Sequence, residues 1–324
     1  MKQLIVYIIL TIPFLSYGQY PVAAGQPGTT AIHKDSSIIV NWAFKVVDFD
    51  RGLQNSSNSA SNEANFGDST NALGAAEGNS SDIVSLGDNG SIVLSFEHPI
   101  KNAIGPDFAV YENSFDDSFL ELAHVEVSTD GIIFIRLPSI SLTNTSSQTG
   151  SFASTDPTKI HNLAGKYRQG YGTPFDLEDI IDSTGINLDS INFVKIIDVA
   201  GSINPLFATY DSQGNIINDP YPTEFGSGGF DLDAVAVVNE NKFVGLTNQY
   251  ANTFKIYPNP AQSSFQINNS TPGLLEMYNI NGRVVYSRTI EAQEIINITE
   301  IERGIYIITF SSSKGIFTKK TIVN

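Results

Sequence analysis

The chain has 324 residues, with 18 Lys and Arg against 34 Asp and Glu, a formal net charge of −16 and no cysteine. Without cysteine the protein has no disulfides, no thiolate chemistry and no lipid anchor on an N-terminal cysteine. The acidic excess lies in residues 20–253, since residues 254–324 contain more basic than acidic side chains. An acidic surface repels phosphate backbones, so we expect no nucleic-acid partner.

Residues 1–19 have the pattern of a secretory signal peptide. Lys2 gives a positive start, residues 4–15 are mostly apolar, and small residues at 16 and 18 precede a cleavage site ahead of Gln19. The alternative is a membrane anchor. An apolar helix of this length reaches only about 18 Å, whereas a hydrocarbon core is about 30 Å thick. We therefore expect export, and no transmembrane segment in the mature protein.

Short apolar runs separated by turn residues recur along residues 20–240. Their spacing favours an all-β antiparallel sandwich or jelly roll over βαβ units. One short helix is predicted over Pro174–Asp182, with Thr173 as its N-cap and Pro174 at its first position. The predicted strands are Ser37–Phe44, Ile83–Leu86, Ser91–Phe96, Phe108–Glu112, Leu122–Ser128, Ile132–Leu137, Phe193–Asp198 and Phe230–Val238.

The strand around residue 125 shows the clearest alternation. In residues 123–128 the odd positions are apolar and the even positions are polar. This pattern predicts one buried face and one face in water. His124 is therefore predicted to be a surface residue and not a catalytic base.

Acidic side chains recur at the ends of predicted strands. Asp231 and Asp233 lie two residues apart, so they are predicted to share a strand face that continues with Val235 and Val237. Buried carboxylates need a cation or hydrogen-bond donors, and hard oxygen ligands suit Ca²⁺. The alternative is that these acids are solvated strand ends and N-caps. The predicted calcium ligands are Asp107, Glu112, Asp198, Asp231 and Asp233.

Two loops are rich in residue types that contact ligands. They are Asn162–Asp176 and the longer Gly201–Gly229. Aromatic faces beside hydrogen-bonding groups suit sugar rings, and long loops are often functional. The alternative is that the tyrosines cover the ends of the sandwich. The predicted ligand-binding residues are Lys166, Tyr167, Arg168, Tyr171, Tyr210 and Tyr221.

The C-terminal segment, 254–324, is predicted to be a separate small antiparallel Ig-like sandwich after a linker at 241–253. It begins with Tyr257-Pro258-Asn259-Pro260 and has a hairpin turn at Asn281-Gly282-Arg283. Gly304-Ile305-Tyr306 and a closing Lys319-Lys320 follow in order. With these motifs the segment resembles the C-terminal sorting domain of the type IX secretion system. The resemblance implies that residues 254–324 are read by the type IX machinery during export, and that the mature protein is secreted or held at the outer cell surface.

The region 35–240 carries a second set of motifs. They include Gly105-Pro106-Asp107-Phe108, Asp130-Gly131, and Gly228-Gly229-Phe230-Asp231-Leu232-Asp233. With these the region resembles bacterial and archaeal cell-surface proteins that have a galactose-binding-like jelly roll and no known function. Jelly rolls of this general type often carry a structural calcium ion, so the resemblance adds to the expectation of Ca²⁺.

Three functions remain open from the sequence. The leading hypothesis is a non-catalytic surface or secreted binding module, stabilised by Ca²⁺, that captures a glycan or a similar extracellular ligand. The second is a secreted glycosidase-like hydrolase that uses carboxylates from the two loops. The third is a structural or adhesive surface protein without a small ligand.

Overall fold

The computed structural model describes residues 19–242, 255–268, 271–312 and 315–324. The predicted signal peptide, apart from Gln19, and most of the predicted linker lie outside the described residues. The chain divides into two compact units, residues 1–241 and 242–324. Within the described residues no helix is long and apolar enough to cross a membrane.

Two antiparallel sheets make up the first unit. The six-stranded sheet has the order β1-β11-β6-β13-β2, with β4 also paired to β13, and the five-stranded sheet has the order β3-β5-β12-β7-β8. A separate two-stranded ribbon pairs β9 with β10. The strands are β1 Ile32–His33, β2 Asn41–Trp42, β3 Lys45–Asp50, β4 Val84–Ser85, β5 Ser91–Ile100, β6 Phe108–Glu112, β7 Ala123–Ser128, β8 Ile135–Arg136, β9 Ile140–Ser141, β10 Ile160–His161, β11 Tyr171–Phe175, β12 Ile191–Asp198 and β13 Asp231–Val237.

Both sheets contribute to one hydrophobic core. Val110 and Val235 from the six-stranded sheet lie in the same buried cluster as Leu94, Val125 and Ile196 from the five-stranded sheet. The two sheets are therefore packed as a sandwich, and the all-β prediction is confirmed. The jelly-roll assignment itself stays a prediction.

The predicted helix at Pro174–Asp182 is wrong. Thr173 and Pro174 lie in β11, where they pair with β6, and only a 3₁₀ turn over Leu177–Ile180 follows. Asp176 caps this turn by accepting a hydrogen bond from the backbone N–H of Glu178. Pro174 is tolerated in the strand because β1 pairs only with residues 171 and 172, which leaves the other edge of β11 unpaired at Pro174.

The prediction of an exposed His124 is also wrong, because its side chain is only 1 % exposed. Its face of β7 is covered by the segment that follows β8, with Ser139 Oγ 3.5 Å from His124 Nδ1. Burial lowers the pKa of His124 to about 4, so the ring is neutral at physiological pH. Alternation in the sequence could not reveal that a loop covers the second face.

The second unit is a smaller seven-stranded structure with its own core. Its sheets have the orders β14-β15-β18 and β17-β16-β19-β20. Phe265 and Ile296 of the first sheet share a buried cluster with Met277, Ile308 and Phe310 of the second. The strands are β14 Ile256–Tyr257, β15 Ser264–Ile267, β16 Gly273–Asn279, β17 Val284–Ile290, β18 Ile295–Asn297, β19 Gly304–Ser312 and β20 Gly315–Val323.

Candidate functional site

Two of the predicted ligand-binding residues, Lys166 and Tyr167, are buried in the first unit. The ammonium group of Lys166 donates to the carbonyl oxygen of Ile160 at 2.7 Å, and the Tyr167 hydroxyl lies 2.9 Å from Thr30 Oγ1. Burial lowers the pKa of Lys166 to about 8. These contacts hold the loop together and leave neither side chain open to a ligand.

The other four predicted ligand-binding residues are scattered. Arg168 binds both carboxylate oxygens of Asp117, at 2.6 and 2.7 Å, and its guanidinium lies 4.9 Å from the centre of the Tyr171 ring. The Tyr221 hydroxyl donates to an Asn55 side chain at 2.8 Å, whereas Tyr210 is 43 % exposed. The structure therefore does not bring the six predicted residues to one cavity.

Three of the predicted calcium ligands accept hydrogen bonds from nearby backbone. Asp107 accepts from two backbone N–H groups and from the Asn239 amide, at 2.9 to 3.0 Å. Asp198 accepts from the backbone N–H groups of Phe230 and Asn89, and Asp233 accepts from those of residues 77 and 78. Each of these carboxylates therefore uses both of its oxygens, mostly to join segments that are distant in sequence.

The predicted strand face for Asp231 and Asp233 is interrupted by a β-bulge. Leu232 pairs with Glu112 and Ala234 pairs with the preceding residue of β6, so Asp233 is the extra residue. Leu232, Val235 and Val237 all belong to the main core, which shows that the alternation is displaced by one residue at the bulge. The prediction that the acids share a face with Val235 and Val237 is wrong for this reason.

The five predicted ligands do not form one calcium site. Asp107 precedes β6 and Glu112 ends it, so the length of the strand separates them. No group of three or more Asp, Glu or His side chains is arranged to hold a metal ion anywhere in the described residues. The carboxylates of Asp107, Asp198 and Asp233 are moreover already engaged with hydrogen-bond donors. Calcium binding by this protein stays a prediction from the sequence.

The structure instead brings together Glu112, Glu121 and Asp231, which are 1 %, 7 % and 5 % exposed. Burial is the main cause that raises the pKa of each carboxyl group, to about 7 for Asp231 and well above the ordinary value for the two glutamates. Asp231 is the neighbouring charge with the largest effect on both glutamates. Their negative charges are thus close enough to oppose one another in a buried setting.

The hydrogen bonds of the three acids differ. Asp231 accepts from the Ser85 hydroxyl and, at 3.1 Å, from the Asn113 amide. Glu112 accepts from the backbone N–H of Ser114 at 2.8 Å, but its other oxygen, Oε1, is buried without a hydrogen-bond partner. Within the described part of the chain no hydrogen bond reaches the Glu121 carboxylate. Two of the three acids therefore retain unused acceptor capacity.

Glu121 and Asp231 line a cavity of about 270 Å³ and form what we call its acidic floor. Five phenylalanines line the same cavity, and we call them the phenylalanine rim. Asn113, three serines and Thr223 add hydrogen-bonding groups. The rim consists of Phe66, Phe115, Phe119, Phe152 and Phe225.

Members of the rim stack on one another yet remain open to solvent. Ring centres are 4.7 Å apart for Phe115 and Phe119, 6.3 Å for Phe119 and Phe152, and 5.5 Å for Phe152 and Phe225. Phe115 is 60 % exposed, Phe152 73 % and Phe225 43 %. Large apolar rings grouped at the surface are typical of a ligand or partner site.

Local hydrogen bonds fix the loop that carries Phe115 and Phe119. Asp116 accepts from the backbone N–H groups of Ser118 and Phe119, both at 2.7 Å. The Arg168–Asp117 ion pair joins the same loop to the segment that follows β10. Arg168, predicted to contact a ligand, thus positions the loop that carries two rim phenylalanines.

Gly165 positions the acidic floor. Its φ angle is +80°, and a Cβ atom at this position would lie 1.8 Å from the carbonyl oxygen of Glu121. Only glycine permits this close approach of the two backbones. Glu121 and the rim were missed in the sequence because they come from separate segments. The spacing of Phe115 and Phe119 in an acidic loop between two strands was the available signal.

Comparison with known families identifies the tail. Residues 255–324 match the family model described as a secretion system C-terminal sorting domain. The type IX resemblance is supported over this segment. A tail of this kind interacts with the type IX secretion machinery and indicates export to the cell surface or secretion. No curated protein matches the chain.

Two solved structures illustrate the remaining similarity. The β-glucuronidase from Ruminococcus gnavus, in complex with uronic deoxynojirimycin, has 9 % identity and a TM-score of 0.19, covering 72 % of this chain and 35 % of that one. A biofilm-associated protein BSP domain has 11 % identity and a TM-score of 0.18, covering 73 % of this chain and 49 % of that one. The matched region thus spans between a third and a half of those chains, and the low TM-scores carry no argument about fold or activity.

Proposed function

We propose that the protein is an exported binding module that captures a glycan or a similar ring-shaped extracellular ligand in the phenylalanine-rimmed cavity. The observation that carries this proposal is the exposure of Phe115, Phe152 and Phe225 at the mouth of the cavity. Contiguous apolar rings exposed at a surface are typical of a ligand or partner site. A sugar ring can stack its apolar face on such rings.

The polar groups of the cavity complement this apolar surface. Asn113, Ser80 and Ser227 lie in the lining and offer donors and acceptors for ligand hydroxyl groups. The loop that carries Phe115 and Phe119 is fixed by hydrogen bonds to Asp116, which limits the ordering needed on binding. Export through the sorting tail is consistent with a cavity that would contact extracellular glycans.

A glycan-array screen of the protein, with and without Phe152→Ala, tests this proposal. Phe152 is 73 % exposed, so its loss should leave the melting temperature unchanged while binding falls about tenfold. Phe44→Ala is the matched control, because Phe44 is 55 % exposed and lies outside the cavity. The proposal is refuted if the folded protein binds no glycan, or if the two variants bind equally well.

One observation favours a second candidate, a secreted hydrolase. Two carboxyl groups, Glu121 and Asp231, line one cavity and have raised pKa values, which would let one hold a proton as a general acid near neutral pH. Release of free sugar from an array hit would establish this activity. Retained activity in Glu121→Gln would exclude Glu121 as the acid.

A further inference from the structure

We propose that the cavity selects ligands that carry a positively charged ammonium group, such as sugars with a free amine, over neutral and anionic relatives. This inference rests on the proposed binding function and specifies the class of ligand. It follows from the combination of an open aromatic rim, an acidic floor and acceptor atoms that no protein group uses.

The first step is the state of Glu121. This side chain is 7 % exposed, lines the cavity, and receives no hydrogen bond from the described residues. A carboxylate that faces a cavity and has no protein partner is stabilised by a hydrogen-bond donor that enters the cavity. An ammonium group supplies up to three donors together with the opposite charge.

The second step is the charge around Glu121. Asp231 lies on the same floor, and Glu112 is buried beside it with Oε1 unpartnered. No lysine or arginine is among the residues that line the cavity. Because the pKa values of the three carboxyl groups are raised, an entering ammonium group would favour their ionised forms, whereas a ligand carboxylate such as that of a uronic acid would be repelled by them.

The third step is the rim. The face of a phenylalanine ring is the negative end of its quadrupole and attracts a nearby cation. Phe115, Phe152 and Phe225 present rings at the mouth of a cavity that has acids at its base. Rim and floor therefore act in the same direction, so that a cation is stabilised both as it enters and when it is bound.

A series of matched rings tests the inference with the full-length protein. D-glucosamine, N-acetyl-D-glucosamine and D-glucuronate share a pyranose ring and differ in charge. We expect D-glucosamine to bind at least about tenfold more tightly than N-acetyl-D-glucosamine at about pH 7, and D-glucuronate to bind most weakly. Ligand-observed NMR titration measures all three dissociation constants under the same conditions.

Two variants test whether the acidic floor causes the preference for D-glucosamine. Glu121→Gln keeps the shape and removes the charge, so the ratio of the dissociation constants of N-acetyl-D-glucosamine and D-glucosamine should fall to about twofold or less. Glu97→Gln is the control, since Glu97 is an exposed glutamate of β5 outside the cavity. Unchanged selectivity in Glu121→Gln would overturn the role of the floor.

The outcomes separate this inference from the proposed function. Equal binding of D-glucosamine and N-acetyl-D-glucosamine, lost in Phe152→Ala, would refute the charge preference and leave the binding function intact. Absence of binding by all three sugars and by every array glycan would refute both. If Glu121→Gln does not fold, the order of the three wild-type dissociation constants still decides the inference.

Discussion

Replacing Asp231 with asparagine should make the first unit less sensitive to alkaline pH. Burial raises the pKa of Asp231 from 3.8 to about 7. Because this pKa is raised, the folded state holds a proton that the unfolded state has lost between about pH 4 and pH 7. The protonated Asp231 side chain therefore contributes its full stabilisation of the folded state below about pH 4. This contribution is lost as the pH rises through about 7.

The size of the effect follows from the same values. A rise of about three pH units corresponds to about 4 kcal/mol between the protonated and ionised forms, at about 1.4 kcal/mol for each unit. Asparagine has no such titration, and its amide can still accept from Asn113 while donating to Ser85 Oγ. We expect the free energy of unfolding of Asp231→Asn, relative to wild type, to be about 2–4 kcal/mol more favourable at pH 8 than at pH 4.

Urea unfolding at the two pH values measures this difference. Trp42 is the only tryptophan in the sequence and packs 5.4 Å from the Tyr111 ring, so its fluorescence reports on the first unit. Comparing the variant at two pH values cancels any fixed loss from altered hydrogen bonds. Asp182→Asn, at an exposed position, should show no such difference. The reasoning fails if Asp231→Asn changes stability equally at both pH values.

Three further predictions concern buried carboxylates and the loop beside the cavity. Asp107→Asn should lower the free energy of unfolding by about 1–3 kcal/mol at neutral pH. Both Asp107 oxygens accept hydrogen bonds, so the amide NH₂ of asparagine would face a donor in place of one of them; an unchanged urea midpoint would contradict this. Gly165→Ala should destabilise the first unit by about 2 kcal/mol or more, since its Cβ would displace the Glu121 backbone. A melting temperature within about one degree of wild type would contradict this, because it would show that the loop adjusts to the Cβ without cost. If calcium binds at Glu112 and Asp231, adding it should raise the melting temperature of wild type and not of Glu112→Gln. No rise in wild type would end the calcium prediction.

Several strands were predictable because alternation and turn residues act locally. β6 has the predicted bounds, Phe108–Glu112, and β7 and β13 differ from prediction by one residue at each changed end. The short β11 was missed because Gly172 and Pro174 are poor strand formers on their own. Its pairing with β6 outweighs that local preference. The helix was predicted wrongly because Thr173 and Pro174 belong to β11, and Asp176 caps only a short 3₁₀ turn.

The candidate site was predictable only in part. Glu112 and Asp231 were identified as candidate ligands from their position at strand ends, and the structure places them near each other. Glu121 was missed because its importance depends on the absence of a nearby donor, which a linear sequence does not show. Lys166 and Tyr167 were predicted to bind a ligand because of their residue types. In the structure they instead form hydrogen bonds with Ile160 and Thr30 inside the fold.

The sequence by itself determined the all-β class and the sorting tail, because strand periodicity and the order of short motifs are properties of neighbouring residues. Only the tertiary structure decided which side chains meet. The bulge at Asp233 displaced the strand alternation, and loops distant in sequence placed Glu121, Asp231 and the phenylalanine rim around one cavity. Such meetings depend on packing between segments that are far apart in the sequence, and no local pattern encodes them.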